Sequence, residues 1–362
     1  MDLLLPLPVR VSKISLVPLS NTAASPSIFS GAMRTLSRSG DRFGFDITVS
    51  QASDKEAFPM RSALRNVRSG LRGQTNRIWF ADPSYKLRGA FPTGEILPNG
   101  YFSFGSSNWG TSAAALSVAD GYARVQNAGS ASGYAVNATA ATLAAGASYV
   151  ARAFLYPGNQ ASWKVNGGTT SGASDVFASG ALTTGGLFIQ AFTASGSGGA
   201  GVTMDDLSVT MDSTSVTLDS GGGGASSFFL SLLCGTTTAA DFVHYMLASV
   251  SRCALVNGGA QTGANLNIQA LPATTAGLLL PGDRVQIGTQ INTVVAPLNS
   301  DGSGLGYLQC ALPWRVSPAN GAAVIIDKPM ARCYLTSITA GWDESPGGFA
   351  DFNLQIQESL DL

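Results

Sequence analysis

Charge is scarce in this sequence. Only 12% of its 362 residues are Asp, Glu, Lys or Arg, about half the share usual in soluble domains. Apolar residues make up 45%, and glycine occurs 43 times. This composition is typical of a folded, turn-rich β protein and excludes a disordered chain. A chain of this length is expected to form two or three domains.

Residues with catalytic or metal-binding chemistry are also few. Histidine occurs once, as His244, and no Cys-x-x-Cys pair occurs among the four cysteines. This excludes a Cys/His zinc site and predicts buried free thiols. No nucleophile elbow, phosphate-binding loop or metalloprotease motif is found. Asp205 and Asp206 are adjacent on a strand-like segment and so make a poor acid–base pair. The sequence therefore predicts no catalytic residues, no metal site and no cofactor.

Long hydrophobic runs are missing as well. No stretch approaches the ~18 uninterrupted apolar residues of a membrane span, so none is predicted. Residues 1–8 have no basic region and are broken by proline, so we do not expect a signal peptide. The chain is expected to act without passing through a secretion route.

The net charge of −1 is unevenly distributed along the chain. Residues 1–95 hold 13 basic and 7 acidic residues, 96–215 hold 3 and 5, and 216–362 hold 5 and 10. This is too little positive charge for a nucleic-acid binder. A basic front and an acidic back could attract one another, within a chain or between copies. A chance distribution of charged residues among the modules explains the same charge counts equally well.

Alternating hydrophobicity predicts strands near both ends of the chain. Residues 43–49 and 352–356 each alternate apolar and polar positions, so each strand should bury one face. Between them, short apolar runs at 149–156, 187–192 and 202–209 alternate with turn-forming residues. Many short strands with such punctuation predict a sandwich or jelly roll.

One segment, residues 59–72, breaks the β pattern and predicts a helix. Its apolar residues follow helical spacing, and they are Met60, Ala63, Leu64, Val67 and Leu71. Arg61, Arg65, Arg68 and Arg72 form one basic stripe on the same helix. We assign Arg61, Arg65 and Arg68 to a subunit interface with acidic groups of a neighbouring copy. A solvated helix face is the more common alternative.

The domain organisation follows from a change of composition near residue 97. From there to residue 215, charged residues are rare and Gly, Ala, Ser and Thr dominate. The glycine run at 221–224 is typical of a flexible joint. We therefore predict a β module at 97–218, inserted into a discontinuous core of residues 1–96 and 219–362.

Aromatic residues of the inserted module are the candidate ligand-binding groups. Trp109, Tyr122 and Trp163 lie in surroundings rich in Asn, Ser and Gly. Sugar rings stack on aromatic faces while amides and hydroxyls bind sugar hydroxyls. We therefore assign these three residues to carbohydrate binding, with a place in the sandwich core as the alternative for each.

Several motifs together carry a resemblance to known proteins. The front and back of the chain resemble siphophage distal tail proteins of the baseplate hub, and the segments that carry this resemblance are 42–49, 59–71, 78–83, 87–89, 280–288, 328–332, 341–342 and 352–357. The middle resembles carbohydrate-binding modules of the jelly-roll, galactose-binding type, through 99–102, 108–109, 120–122 and 202–209.

The resemblance implies a fold, a place and partners. The fold would be mainly β, with a barrel or sandwich core built from both chain ends, one packed helix and an inserted jelly-roll sandwich. The protein would be a structural virion protein, assembled in the host cytoplasm, that forms a homo-hexameric ring at the phage tail tip. Its partners would be the tail tube protein, the hub and receptor-binding proteins, and host surface glycans bound by the insertion. The alternatives are another tail-tip or tube-completing protein with a decorative insertion, and a free carbohydrate-binding adhesin.

Overall fold

The computed structural model describes most of the chain. The described residues are 2–5, 11–19, 22–26, 33–37, 41–52, 60–72, 75–119, 122–129, 132–156, 158–159, 162–194, 226–235, 238–336, 342–344 and 349–359. The glycine joint and the predicted strand at 202–209 lie outside them.

The described part is mainly β, as predicted, with one helix. The helix is α1 (Met60–Leu71). The strands are β1 (Asp2–Leu4), β2 (Lys13–Leu19), β3 (Thr22–Pro26), β4 (Met33–Ser37), β5 (Arg42–Ala52), β6 (Arg77–Ala81), β7 (Trp109–Ser112), β8 (Ala114–Ala119), β9 (Tyr122–Asn127), β10 (Tyr134–Asn137), β11 (Ala141–Leu143), β12 (Ser148–Tyr156), β13 (Trp163–Gly168), β14 (Phe177–Ala178), β15 (Gly186–Thr193), β16 (Ser226–Cys234), β17 (Phe242–Val256), β18 (Gly263–Gln269), β19 (Arg284–Ile287), β20 (Gln290–Thr293), β21 (Gly306–Trp314), β22 (Ala323–Ile325), β23 (Met330–Leu335), β24 (Trp342–Glu344) and β25 (Ala350–Glu358).

Strands from both chain ends form one sheet, which we call the end-paired sheet. Its order is β1-β6-β23-β25-β5-β2, with β24 attached to β25. The two strands with the clearest alternation lie side by side, since Ile47 pairs with Leu354. A second crossing joins β6 to β23, where Phe80 pairs with Ala331. The predicted fold class, with a β core to which both chain ends contribute, is confirmed by these pairings.

Helix α1 covers one face of this sheet, as its sequence pattern predicts. All five apolar positions of the helical pattern are buried. Met60, Leu64, Val67 and Leu71 share one core cluster with residues of β5, β6, β23 and β25. Burying a large apolar side chain contributes roughly 1.5–3 kcal/mol, so this helix is held by packing against strands from both ends.

Buried polar contacts also join the two ends. The Asp2 carboxylate accepts hydrogen bonds from Arg332 Nε at 2.9 Å and from Trp79 Nε1 at 3.0 Å. Asp82 pairs with Arg284 at 2.6 Å. In both ion pairs the front of the chain supplies the acid and the back supplies the arginine. The sequence as a whole has a basic front and an acidic back, so these two ion pairs have the opposite arrangement of charge.

Glu358 makes the most buried of these contacts. Its side chain has no solvent exposure and is 2.9 Å from Arg315 Nη2. Its two carboxylate oxygens also accept hydrogen bonds from the backbone N–H groups of Phe43 and Ile291. One carboxylate thus holds three separate segments together.

The middle of the chain forms a two-sheet sandwich, which we call the middle sandwich. One sheet has the order β14-β13-β16-β10-β7, and the other contains β8, β9, β17, β12 and β15. Their facing sides share a core that includes Phe177, Phe192 and Phe228. Strands β16 and β17 follow residue 218, the predicted end of the insertion. By strand pairing the middle sandwich therefore extends to residue 252 of β17.

Strand β17 links the middle sandwich to a third region, residues 254–326. Its last residues pair with β18 and β22. A separate apolar core, which includes Leu266, Val285, Leu308 and Val324, fills this region. The four cysteines are free and buried, as the sequence predicts.

Candidate functional site

Two of the three aromatic residues assigned to sugar binding lie in the core of the middle sandwich. Trp109 is 7% exposed, its ring packs on Phe102, and its Nε1 donates to the Asn99 carbonyl. Trp163 is 6% exposed and meets Tyr245 edge to face. Neither ring offers a face to solvent, which is the arrangement of a core and not of a sugar-stacking platform. Burial therefore favours the core alternative for both.

The third residue, Tyr122, lies differently. It is half-buried and lines a cavity of about 590 Å³, which we call the junction cavity because it lies between the middle sandwich and the end-paired sheet. The lining residues are Leu3, Leu4, Asn66, Val67, Ser117, Ala119, Tyr122, Arg124, Tyr156, His244 and Met246.

Strand pairing places four polar side chains of this cavity in a line, which we call the cross-strand row. Ser117 on β8 pairs with Arg124 on β9, Arg124 with His244 on β17, and His244 with Tyr156 on β12. Directly paired residues of antiparallel strands project to the same face. That face is the outer one, because Ala123 and Val125, on either side of Arg124 in β9, are buried in the sandwich core.

The opposite wall of the cavity comes from the other part of the molecule. Leu3 and Leu4 of β1 and Asn66 and Val67 of α1 line it. The cavity therefore exists only where the end-paired sheet and its helix meet the middle sandwich. A second contact between the two parts, which includes Trp79, Phe154 and Met330, is apolar and buried.

The aromatic rings of the cavity are arranged around Tyr122. Its ring meets those of Tyr156 and His244 edge to face, with centroids 6.1 Å away in each case. The Arg124 guanidinium lies over the Phe242 ring at 4.0 Å from its centroid. Burial, and then the nearby Arg124 charge, hold the pKa of His244 below its ordinary value. Among the described residues that line the cavity, Arg124 is the one Asp, Glu, Lys or Arg side chain.

The arginine stripe lies on α1, the helix whose Asn66 and Val67 line the junction cavity. Arg61 and Arg65 are half-buried and already have interaction partners within their own chain. The side chain of Arg68 lies outside the described residues. The assignment of these three residues to a subunit interface stays a prediction.

A second polar cluster lies outside the cavity. Arg152 is fully buried on β12, where its Nε donates to Ser249 Oγ and its Nη1 to the Lys328 carbonyl. Glu95 Oε1 accepts from the backbone N–H of Val250 at 2.7 Å. Arg152 Nη2, Glu95 Oε2 and Tyr101 Oη are buried without a hydrogen-bond partner among the described residues. Burial raises the pKa of Glu95 to about 7, although the charge of Arg152 opposes this.

Sequence reasoning missed Arg124, His244, Tyr156 and Ser117. The signal available was the alternation of Tyr122 and Arg124 with the small or apolar residues Ala123 and Val125, which marks one polar face of a strand. The register that brings four strands together is set by tertiary pairing and is not visible in any one segment.

Comparison with known proteins adds no identity. No protein-family model matches the chain, and no curated protein matches it significantly.

Among the described residues, no cluster of three or more His, Cys, Asp or Glu side chains could hold a metal ion. No described helix is long and apolar enough to cross a membrane.

Proposed function

We propose that this protein is a structural component of a bacteriophage tail, where six copies form the distal tail ring that joins the tail tube to the tip and receptor-binding proteins. The observation that carries this proposal is the end-paired sheet. Strands from the first 81 and the last 33 residues hydrogen-bond to one another, although the middle sandwich and the region 254–326 lie between them in sequence. A core that is completed by strands from both chain ends can carry an inserted domain and still fold as one unit.

Contacts between the segments that resemble distal tail proteins support the same proposal. The backbone N–H groups of Arg88 and Gly89 donate to the Asp283 carboxylate at 2.8 and 3.0 Å. A side chain at Gly89 would not fit, since its Cβ would lie 2.2 Å from the Leu278 carbonyl oxygen. Two short motifs almost two hundred residues apart in sequence are thus parts of one arrangement.

The mass of the assembled protein tests the ring. Six copies of the 37.1 kDa chain amount to about 223 kDa. Native mass spectrometry of the full chain, with and without tail tube protein, is expected to detect this species. A closed ring uses two different surfaces of each subunit and so stops at one size. A monomer under both conditions, or an open-ended series of sizes, would contradict the ring.

We also propose that the middle sandwich binds host surface glycans, with the junction cavity as the site. Tyr122 supports this role because its ring lines a cavity that also holds hydroxyl, amide and guanidinium groups. On a glycan array, the full chain is expected to bind and Tyr122→Ala to lose most of the signal. Tyr307→Ala is the matched control, since Tyr307 is 50% exposed and far along the chain from the cavity lining. Equal signals from both variants would contradict the site, and no signal from any glycan would leave the insertion decorative.

A further inference from the structure

The junction cavity has an unusual balance of charge. Among the described residues that line it there is one arginine and no carboxylate, and burial lowers the pKa of the neighbouring His244. The remaining polar groups are the hydroxyls of Ser117, Tyr122 and Tyr156 and the amide of Asn66. An environment with one positive charge and several hydrogen-bond donors favours an anionic ligand over a neutral or cationic one.

Arg124 is held in place for such a ligand. Its guanidinium stacks on Phe242, and pairing on both sides fixes its strand between Ser117 and His244. An arginine held in this way loses little side-chain freedom when it binds a planar carboxylate through two parallel hydrogen bonds.

The rest of the cavity has the size and surfaces for a sugar. A volume of about 590 Å³ lies within the range of small-molecule sites, roughly 300–1,000 Å³. Tyr122 and Tyr156 supply aromatic surface beside the cross-strand row, while Leu4 and Val67 close the opposite wall. An apolar ring face and a polar edge are thus accommodated together.

We propose that the junction cavity binds a sugar that carries a carboxylate, such as a uronic acid residue of a surface polysaccharide. Arg124 pairs with the carboxylate, and the other members of the cross-strand row bind hydroxyls. This inference rests on the proposed glycan-binding role and names its substrate class.

Calorimetric titration of the full chain with glucuronic acid and with its uncharged amide, glucuronamide, tests the inference. The two probes share the ring and hydroxyls and differ in charge. We expect the acid to bind at least about tenfold more tightly than the amide at pH 7 and low salt. Equal affinities, or tighter binding of the amide, would overturn the carboxylate assignment.

Variants locate the charge that is responsible. Arg124→Gln is expected to reduce the preference for the acid to within about twofold. Arg124→Lys should retain part of the preference, because it keeps the charge and loses the planar fork. Lys86→Gln removes an exposed cation that does not line the cavity and should change nothing. A full preference in folded Arg124→Gln would overturn the site.

The outcomes separate this inference from the proposals on which it rests. If glucose and glucuronamide bind as well as the acid, the glycan role stands and the carboxylate inference fails. If no sugar binds, both fail, while the ring is judged independently by its mass.

Discussion

The end-paired sheet and the surroundings of the middle sandwich differ in how their charged side chains are paired. In the end-paired sheet, Asp2, Asp82 and Glu358 are each matched by an arginine. Around the middle sandwich, Glu95 and Arg152 have buried atoms without hydrogen-bond partners in the described part of the chain, and the described lining of the cavity that contains Arg124 has no carboxylate. Matched groups fasten segments that are distant in sequence. An unmatched buried group costs stability and is a candidate for binding a proton or a ligand.

The largest expected effect is at the most buried matched pair. Glu358→Gln leaves Arg315 without its charge partner, and breaking a buried pair typically costs about 3–5 kcal/mol. We expect a loss of about 3 kcal/mol in the free energy of unfolding, measured by denaturant titration of the full chain. Asp175→Asn, at an exposed carboxylate bonded to Thr169, should cost less than about 1 kcal/mol. Equal losses in the two variants would mean that Glu358 does not fasten the ends.

The next effect concerns the unmatched cluster and depends on pH. The pKa of Glu95 is raised from 4.5 to about 7 in the folded chain, so the folded state binds its proton more tightly than the unfolded state does. This contribution to stability is fully present below about pH 4.5 and is lost as the pH rises to about 7. The shift corresponds to about 3 kcal/mol at most.

Glu95→Gln tests this directly, because glutamine keeps an oxygen for the Val250 N–H and cannot lose a proton. We expect the stability of the variant relative to the native chain to rise by about 2–3 kcal/mol between pH 5 and pH 8. Asp175→Asn should show no such trend over that interval. A difference that stays constant with pH would show that Glu95 is not held in its protonated form.

The smallest effect is expected at the partly exposed pair of the end-paired sheet. Asp2→Asn weakens the pair with Arg332, whose side chain is 22% exposed, and keeps an acceptor for Trp79 Nε1. Water partly screens such a pair, so a loss of about 1 kcal/mol is expected. Denaturant titration in low and high salt measures it. A loss as large as that of Glu358→Gln would contradict the ranking by burial.

Local pattern predicted the parts of the fold that have one wet face. The alternation at 43–49 and 352–356 and the helical spacing of Met60 to Leu71 are confirmed because each element buries one stripe and exposes the other. The runs at 149–156 and 187–192 correspond to β12 and β15, which pair with each other.

The site was less accessible to sequence reasoning. Trp109 and Trp163 have polar neighbours in sequence, yet each side chain projects into the core. Which face of a strand is buried depends on the sheet packed against it, and for β7 and β13 that sheet includes β17, from beyond the predicted end of the insertion. Tyr122 is one of the three aromatic residues that the sequence predicts for sugar binding, and Arg124 and His244 are brought near it by register across strands more than one hundred residues apart.

The central claim is that the two ends of this chain form one scaffold that works as a tail ring and displays the middle sandwich. Cryo-electron microscopy of virions that contain the chain tests it most directly. We expect six copies in a closed ring at the distal end of the tail tube, with the end-paired sheets in the ring and the middle sandwiches projecting from it. Density for the chain elsewhere in the particle, or virions without it, would contradict the claim.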